Sequence, residues 1–323
     1  METDLKPILE KLVMRRNLSL EESRESVAKF LGQSDANPYQ VAAFLSLLRS
    51  KGETAEELAG MALAMRQQSL SVPLPSSIPY LVDIVGTGGD GADTVNISTG
   101  AAILAAACGA KVAKHGSHSS SSKCGSADVL ESLGVKVSLS PKAIARSCGQ
   151  YSKGFTYSNS FQLLGPLTNP ALVSRQVIGV SHEELMEKLA IALQLLGTER
   201  SWVLHCSGLD ELSPLGSATV LEVTPDDIHR YAINPAQYGF PTCQLEDLKG
   251  ADANFNAHIL RECLRGKPSA ISNSIILNAG AALVVSGMSE SFGEAITLAA
   301  RTLMSGSSLE LLERWIRLTQ TLE

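Results

Sequence analysis

Three groups of residues carry side chains able to do chemistry. The first is Asp83-Ile84-Val85-Gly86-Thr87-Gly88-Gly89-Asp90-Gly91, with its continuation Asn96-Ile97-Ser98-Thr99-Gly100. A short apolar run from Tyr80 to Val85 reads as a buried strand, and the alanine-rich stretch Gly100 to Ala107 reads as a helix. The glycines between them force an irregular turn. Such a turn aims several backbone N–H groups at one point, and the helix dipole adds partial positive charge there, so a phosphate or pyrophosphate is the natural occupant. The loop matches neither G-x-x-x-x-G-K-[ST] nor G-x-G-x-x-G, and a plain strand-to-helix connection would account for its glycines. It would not account for Thr87, Asp90, Asn96, Ser98 and Thr99, which crowd short polar side chains around them.

The second group runs from Lys114-His115-Gly116-Ser117-His118 to Lys123-Cys124-Gly125-Ser126-Ala127-Asp128, across the serine run Ser119 to Ser122. Two lysines and many hydroxyls suit a loop that closes on an anion after it arrives; a flexible serine linker is the plainer alternative. The third group is Asp210-Glu211, just past the strand-like Ser201 to Cys206. Adjacent acids at a strand end hold a hard divalent cation through carboxylate oxygens, particularly Mg²⁺ carried by a polyphosphate. Alone they read as a solvated turn, and beside two anion-binding loops the cation becomes the better reading.

The elements that must position these groups divide the chain. Residues 1–72 read as short helices. Leu5, Ile8, Leu9, Leu12 and Val13 share one face, and Ser19 with Glu22 makes a capping box ahead of Val27, Phe30 and Leu31. Asn37-Pro38 starts a helix carrying Val41, Phe44, Leu45 and Leu48, which Gly52 stops, and Thr54 with Glu57 begins a fourth. A proline-punctuated linker, Ser71-Val72-Pro73-Leu74-Pro75, follows. Beyond it strands at Lys111–Lys114, Val135–Leu139, Gln176–Val180 and Ser201–Cys206 alternate with helices at Asp128–Leu133, Pro141–Gly149 and Glu183–Leu196. Further helices are expected around Phe255–Arg265, from Ser272 to Val285, and at the end near Leu318, whereas Gln150 to Gln162 has no clear period. The expectation is an α/β protein with a small all-helical N-terminal domain (1–72) and a larger α/β domain with a central mixed sheet (73–323).

Composition narrows the function classes. With 44% hydrophobic and 19% charged residues and a formal net charge of −6, the chain reads as an ordinary globular protein and nothing favours wholesale nucleic-acid binding. No segment has the unbroken apolar length of a membrane helix, and Met1-Glu2-Thr3-Asp4 is not a signal peptide, so a cytoplasmic location is expected. The six cysteines contain no C-x-x-C pair, which argues against a zinc site or a disulfide framework. Cys124, within the second loop, reads as an incidental small residue.

Taken together, Gly86-Thr87-Gly88-Gly89-Asp90, Asn96-Ile97-Ser98-Thr99, Lys114-His115-Gly116, Gly125-Ser126-Ala127-Asp128-Val129-Leu130-Glu131, Leu164-Gly165-Pro166-Leu167-Thr168-Asn169-Pro170, Gly208-Leu209-Asp210-Glu211 and Asn278-Ala279-Gly280-Ala281-Ala282 resemble the anthranilate phosphoribosyltransferase family over nearly the whole chain. The resemblance implies transfer of a phosphoribosyl group from phosphoribosyl pyrophosphate to anthranilate in tryptophan biosynthesis. It also implies a homodimer formed through the helical domain, with the segment near 155–170 returning to that domain. Carried over residue by residue, it puts the diphosphate and ribose against Gly86, Thr87, Gly88, Gly89, Asp90, Asn96, Ser98, Thr99, Lys114 and Ser126. The acceptor falls near Gly86, His115 and Ser117, and Mg²⁺ on Ser98, Asp210 and Glu211. No protein nucleophile is implied.

The chain departs from the family pattern in two places. The family carries Lys-His-Gly-Asn-Arg where Lys114-His115-Gly116 is followed here by Ser117-His118, a shorter hydroxyl and a weaker base. Between Arg146 and Leu163 the family has an Ala-Pro…His…Lys run and a Val-Arg-x-x-Leu-Gly helix. This chain has only Ser147 to Gln162, with no arginine to fork a carboxylate. Two alternatives stay open: a same-fold enzyme with another acceptor, such as a pyrimidine nucleoside phosphorylase, and a catalytically silent dimer that binds a phosphorylated ligand.

Overall fold

The computed structural model describes residues 5–32, 37–70, 72–74, 80–119, 123–144, 153–157 and 164–322. Four helices open the chain: α1 (Lys6–Val13), α2 (Leu20–Gly32), α3 (Pro38–Lys51) and α4 (Ala55–Gln68). The starts of α2, α3 and α4 are those the sequence signals predict. Ser19 Oγ accepts from the Glu22 amide while Glu22 accepts from the Ser19 amide, Asn37 caps α3, and Thr54 with Glu57 forms the capping box of α4. Glu57 does more than cap. It is fully buried, and its carboxylate also accepts from the Leu18 amide and pairs with Lys51 at 2.8 Å, fastening the loop before α2 and the end of α3 to α4. Val13 and Leu31, expected on the buried faces, are 62% and 49% exposed. Each lies at the trailing end of its helix, past the last turn that its neighbours cover.

The larger part is built on a seven-stranded sheet in the order β3-β2-β1-β4-β5-β6-β7. Its strands are β1 (Val82–Gly86), β2 (Val112–Gly116), β3 (Lys153–Tyr157), β4 (Arg175–Gly179), β5 (Arg200–Cys206), β6 (Ala218–Val223) and β7 (Ile228–Ile233). From β3 to β5 all neighbours are parallel, and β6 and β7 add an antiparallel edge, so the sheet is mixed. Side chains alternate across it: Val177, Trp202, Leu204 and Val220 join one core, and Ile178, Val203 and Leu221 join the other. The first core is covered by α5 (Ile97–Ala107), α6 (Ser126–Ser132), α8 (Ala253–Leu264), α9 (Ala270–Val285), α10 (Phe292–Met304) and α11 (Ser307–Thr321). The second lies under α7 (Met186–Leu195) and the helical bundle, with Leu164 and Leu167 packed into it and the Leu167 carbonyl bound by Arg66 Nε at 2.7 Å.

Several expectations need correction. Residues Val135 to Leu139 form no strand. The Val135 amide bonds the Leu130 carbonyl at the end of α6, and the Lys136 amide bonds Thr319 Oγ1 on α11, so neither is available to a sheet neighbour. The β6–β7 hairpin and α10 were not foreseen. Thr224-Pro225-Asp226-Asp227 is the hairpin turn, closed by the Thr224 amide on the Asp227 carbonyl and the Asp227 amide on Thr224 Oγ1. The helix expected at Pro141–Gly149 is helical at 141–144. Its remainder, the linker residues Ser71 and Pro75, Ser120 to Ser122, and all of 147–162 except 153–157 lie outside the described residues. Among the described residues no helix is long and apolar enough to cross a membrane.

This topology places the glycine loop. The chain proceeds from β1 outward to β2 and β3, and then returns to β4 on the other side of β1, so the carboxyl ends of β1 and β4 border the crevice where the strand order reverses. In open α/β sheets that crevice is where ligands bind. Gly86 and Gly179 are paired there in register, and the chain carrying Asp210 crosses directly above them. A Cβ on Gly179 would stand 1.6 Å from the Asp210 carbonyl oxygen, and one on Gly86 would stand 2.3 Å from Asp210 Oδ2. Both glycines are required by this close approach. Gly179→Ala is therefore expected to destabilise the protein by on the order of 4 kcal/mol or to prevent its accumulation; a denaturant midpoint equal to wild type would contradict the crossing.

Candidate active site

The glycine loop leaves β1 with positive φ at Gly88, Gly89 and Gly91 (68°, 79° and 66°) and at Asp93 (49°). It is held from outside by the segment just before α8, where the Val95 amide bonds the Leu248 carbonyl, the Gly250 amide bonds the Asp93 carbonyl, and Lys249 Nζ reaches the Ala92 carbonyl at 2.8 Å. Its inner side meets the acidic turn. The Gly88 amide donates to Asp210 Oδ2 at 2.7 Å, and the Ser98 amide, in the first turn of α5, donates to Glu211 Oε1 at 3.0 Å. Asn96 stands at the N-cap of α5 but makes no capping bond, so Glu211 satisfies a first-turn amide from across the cleft. The turn is itself fastened by Asn278 on α9, which accepts from the Leu212 amide at 3.1 Å and donates to the Leu212 carbonyl at 2.8 Å.

Lys114 completes the charged set. Its ammonium, 4% exposed, donates to the Ile84 carbonyl at 2.6 Å and to Ser98 Oγ at 3.2 Å. Burial lowers its pKa, and the charges of Asp83, Glu211 and Asp210 oppose that fall. Burial raises both acids: Asp210 to about 7, with Asp90 adding repulsion, and Glu211 to about 8, with Asp210 adding repulsion. Asp83, on the same strand as Gly86, is fully buried and its pKa is raised by desolvation. Its oxygens accept from the His115 amide at 2.9 Å and from Asn169 Nδ2 at 2.8 Å, and Asn169 also donates to the Ala113 carbonyl. His115 is buried, which lowers its pKa, and its Nδ1 lies 2.8 Å from the Gly165 carbonyl, an acceptor that selects the Nδ1–H form.

The second loop closes on α6. The Ser117 amide donates to Ser126 Oγ, and Asp128 gathers His118 Nδ1 with the amides of Ser119 and Gly125. That hydrogen bond raises the His118 pKa. Asp128, His118 and Glu131 also bring three ligand atoms within 4.8 Å of one another, but the imidazole nitrogen facing Asp128 already carries the loop-closing bond. Gly86, Gly88, Asp90, Ser98, Lys114, Asp210 and Glu211 thus meet through direct bonds, shared charge or close approach, whereas Asn96 bonds Cys124 and Asn256 beside them and Ser126 and Ser117 bind each other on the second loop. Thr87 and Thr99 are 6% and 1% exposed, and the Thr99 hydroxyl has no partner among the described residues. Asn169, Gly179 and Asn256 belong to the site's frame without having been singled out from the sequence, and Asp83, at the head of the quoted glycine stretch, had no role assigned to it. Asn169 lies in the quoted Leu-Gly-Pro-Leu-Thr-Asn-Pro stretch, and nothing local distinguishes Asn256.

The oxygen donors of Asp210, Glu211 and Ser98 form a hard, buried set whose carboxylates are held near neutrality by burial. A divalent cation relieves that cost, so this donor set fits Mg²⁺.

Comparison with known proteins gives these residues a context. The family model for the α/β domain of a glycosyl transferase family matches residues 79–162 and 152–309, and the model for its helical bundle domain matches 6–69. The two α/β stretches overlap at 152–162, inside the segment that the sequence marks as short. Anthranilate phosphoribosyltransferase from Chlamydia felis is 40% identical, covering 99% of this chain and 98% of that protein, and the one from Citrifermentans bemidjiense is 39% identical, covering 99% and 100%. This chain belongs to the anthranilate phosphoribosyltransferase family. The Thermus thermophilus family member superimposes with a TM-score of 0.89 at 35% identity, over 97% of this chain and 99% of that one. The Saccharomyces cerevisiae enzyme, solved in complex with phosphoribosyl pyrophosphate and Mg, gives 0.89 at 27% identity over 100% and 99%.

For this family member the acidic turn has a measurable signature. Asp210 and Glu211 have folded pKa values of about 7 and about 8, above their ordinary carboxylate values. The folded state therefore binds more protons than the unfolded one from the ordinary carboxylate range up to about 8, and stability falls as pH rises across that window, levelling off above it. Lys114, held below its ordinary value, acts with the opposite sign on the alkaline side. The melting temperature of the metal-free protein is expected to drop between pH 5.5 and 8.5, and to drop less in Glu211→Gln. Equal slopes for the two proteins would show that burial of this turn is not the source.

Proposed function

We propose that this chain transfers the phosphoribosyl group from phosphoribosyl pyrophosphate to anthranilate, giving phosphoribosylanthranilate and pyrophosphate. The observation that carries the reading is the bonding of the glycine loop and the α5 N-terminus to a buried acidic pair through Gly88 and Ser98. On this reading the diphosphate lies against Gly86, Thr87, Gly88, Gly89, Asp90, Asn96, Ser98 and Thr99, with Lys114 and Ser126 toward the ribose. Ser98, Asp210 and Glu211 hold Mg²⁺, which neutralises charge on the diphosphate when bound. As the anomeric C–O bond breaks, the electron pair leaves with pyrophosphate while the sugar becomes cationic. Lys114, buried beside Ser98, adds fixed positive charge near the departing group. The anthranilate nitrogen forms the new bond, and no protein nucleophile intervenes.

The acceptor side is assigned to Gly86, His115 and Ser117. His115, whose pKa burial lowers and whose Nδ1–H is committed to Gly165, enters this side as a neutral imidazole. Ser117 in place of the family's Asn, and a 147–162 segment with no arginine, weaken this side's grip and lower activity. The purified protein is expected to consume phosphoribosylanthranilate's precursors with the product's fluorescence change, and Asp210→Ala to reduce turnover by at least about 100-fold. In the same assay Ser117→Asn lowers the anthranilate KM. Donor binding by calorimetry without any turnover would instead support a silent binding protein.

The division at residue 73, with the segment near 155–170 returning to the bundle, is part of the proposal; the place of Leu164 and Leu167 in the same buried cluster as Phe44 and Leu58 supports it. A cytoplasmic homodimer is proposed through the helical domain. Val13, Met14 and Tyr39 leave apolar surface exposed there, around a groove of about 670 Å³ lined by Lys6, Leu9, Glu10, Val13, Met14 and Gln40. Sedimentation should show a dimer that Met14→Glu shifts toward monomer; a wild-type monomer at micromolar concentration would refute it.

A further inference from the structure

Asn256, on the first turns of α8, is 1% exposed and lies far in sequence from both loops. Its Oδ1 accepts from the Ala251 amide at 2.8 Å, and its Nδ2 donates to Asn96 Oδ1 at 3.0 Å. Asn96 Nδ2 in turn donates to the Cys124 carbonyl at 3.1 Å. The direction of this chain is fixed from both ends. A backbone amide only donates, so Asn256 must offer Ala251 its oxygen and Asn96 its nitrogen; a backbone carbonyl only accepts, so Asn96 must offer Cys124 its nitrogen. The two requirements agree, and neither amide can flip without placing like groups against each other at both contacts.

The arrangement is selective about its surroundings. An N-cap asparagine ordinarily spends its oxygen on the first turn of its own helix, but Asn96 makes no such bond. Gly250 makes room for the hub, since a Cβ there would stand 2.7 Å from Asn256 Oδ1 and 3.0 Å from its Nδ2. One Nδ2 hydrogen of half-buried Asn96 goes to Cys124, and the second has no acceptor among the described residues.

We propose that Asn256 is a positioning residue for phosphoribosyl transfer: it holds the Asn96 amide in the single orientation that offers an N–H to the diphosphate, and through Asn96 ties the serine loop at Cys124 to the glycine loop. The proposal rests on the assignment of Asn96 to the diphosphate. Asn256→Asp keeps an acceptor for Ala251 and removes the donor that Asn96 needs. In the full-length protein it is expected to raise the phosphoribosyl pyrophosphate KM about tenfold, with kcat and the anthranilate KM within about twofold, the scale of one lost charge-assisted hydrogen bond. Asn96→Ala raises the same KM, and adding Asn256→Asp to Asn96→Ala changes nothing further, because the effect travels through Asn96. An equal factor in both backgrounds, or a fall in kcat with KM unchanged, overturns the positioning role. Asn96→Ala with an unaltered donor KM overturns the diphosphate assignment itself, a separate result. Should Asn256→Asp fail to accumulate, Gly250→Ala, which crowds the same amide, is judged by the same criteria.

Discussion

The site depends on one close approach, that of the Asp210 main chain and carboxylate to Gly179 and Gly86. Because those two positions carry no side chain, an acidic turn reaches down to the ends of β1 and β4 and bonds the glycine-loop amide of Gly88. The approach has an electrostatic cost. Two carboxylates leave water, and each is displaced toward its neutral form by burial. Lys114 offsets part of that cost from below the sheet ends, where its ammonium is committed to Ile84 and Ser98. The turn is thus a pair of acids whose burial Lys114 offsets only in part.

Around this set, buried amides provide the geometry. Asn278 brackets Leu212 on both backbone groups, so the turn carrying Asp210 and Glu211 inherits the rigidity of α9, a helix buried on almost every side. Asn169 bridges the Asp83 carboxylate and the Ala113 carbonyl, joining β1 to β2 and both to the segment that meets the helical bundle. A neutral amide does this work at lower desolvation cost than a charge, and its two ends cannot be exchanged, which fixes register as well as distance.

How much of this was legible in the sequence follows from the range of the interactions. Local signals were reliable: Ser19 with Glu22, Asn37-Pro38, and Thr54 with Glu57 start the helices where expected, because a cap and its partner are neighbours in the chain. The glycine loop and the acidic pair were recognisable by residue type. Their contact was not, since Gly88 and Asp210 are 122 positions apart and neither signals the other. Val135–Leu139 failed for the same reason: its apolar alternation suits a strand, but partners on α6 and α11 took its amides. Asn256 was invisible because a buried asparagine in a helix looks like any polar position until its distant partners are known.

The departures from the family pattern have a place in the fold. Ser117 and His118 follow β2, and the shortened segment flanks β3, the outermost strand on that side of the sheet. An edge strand has one neighbour, so altering the chain around it disturbs only the β2–β3 pairing and leaves the β1–β4 crevice with both of its walls. The glycine pair sits in the centre, where Gly86, Gly179 and Asp210 constrain one another. Alterations around β3 thus leave the β1–β4 pairing and the Asp210 crossing in place, because those rest on the central strands.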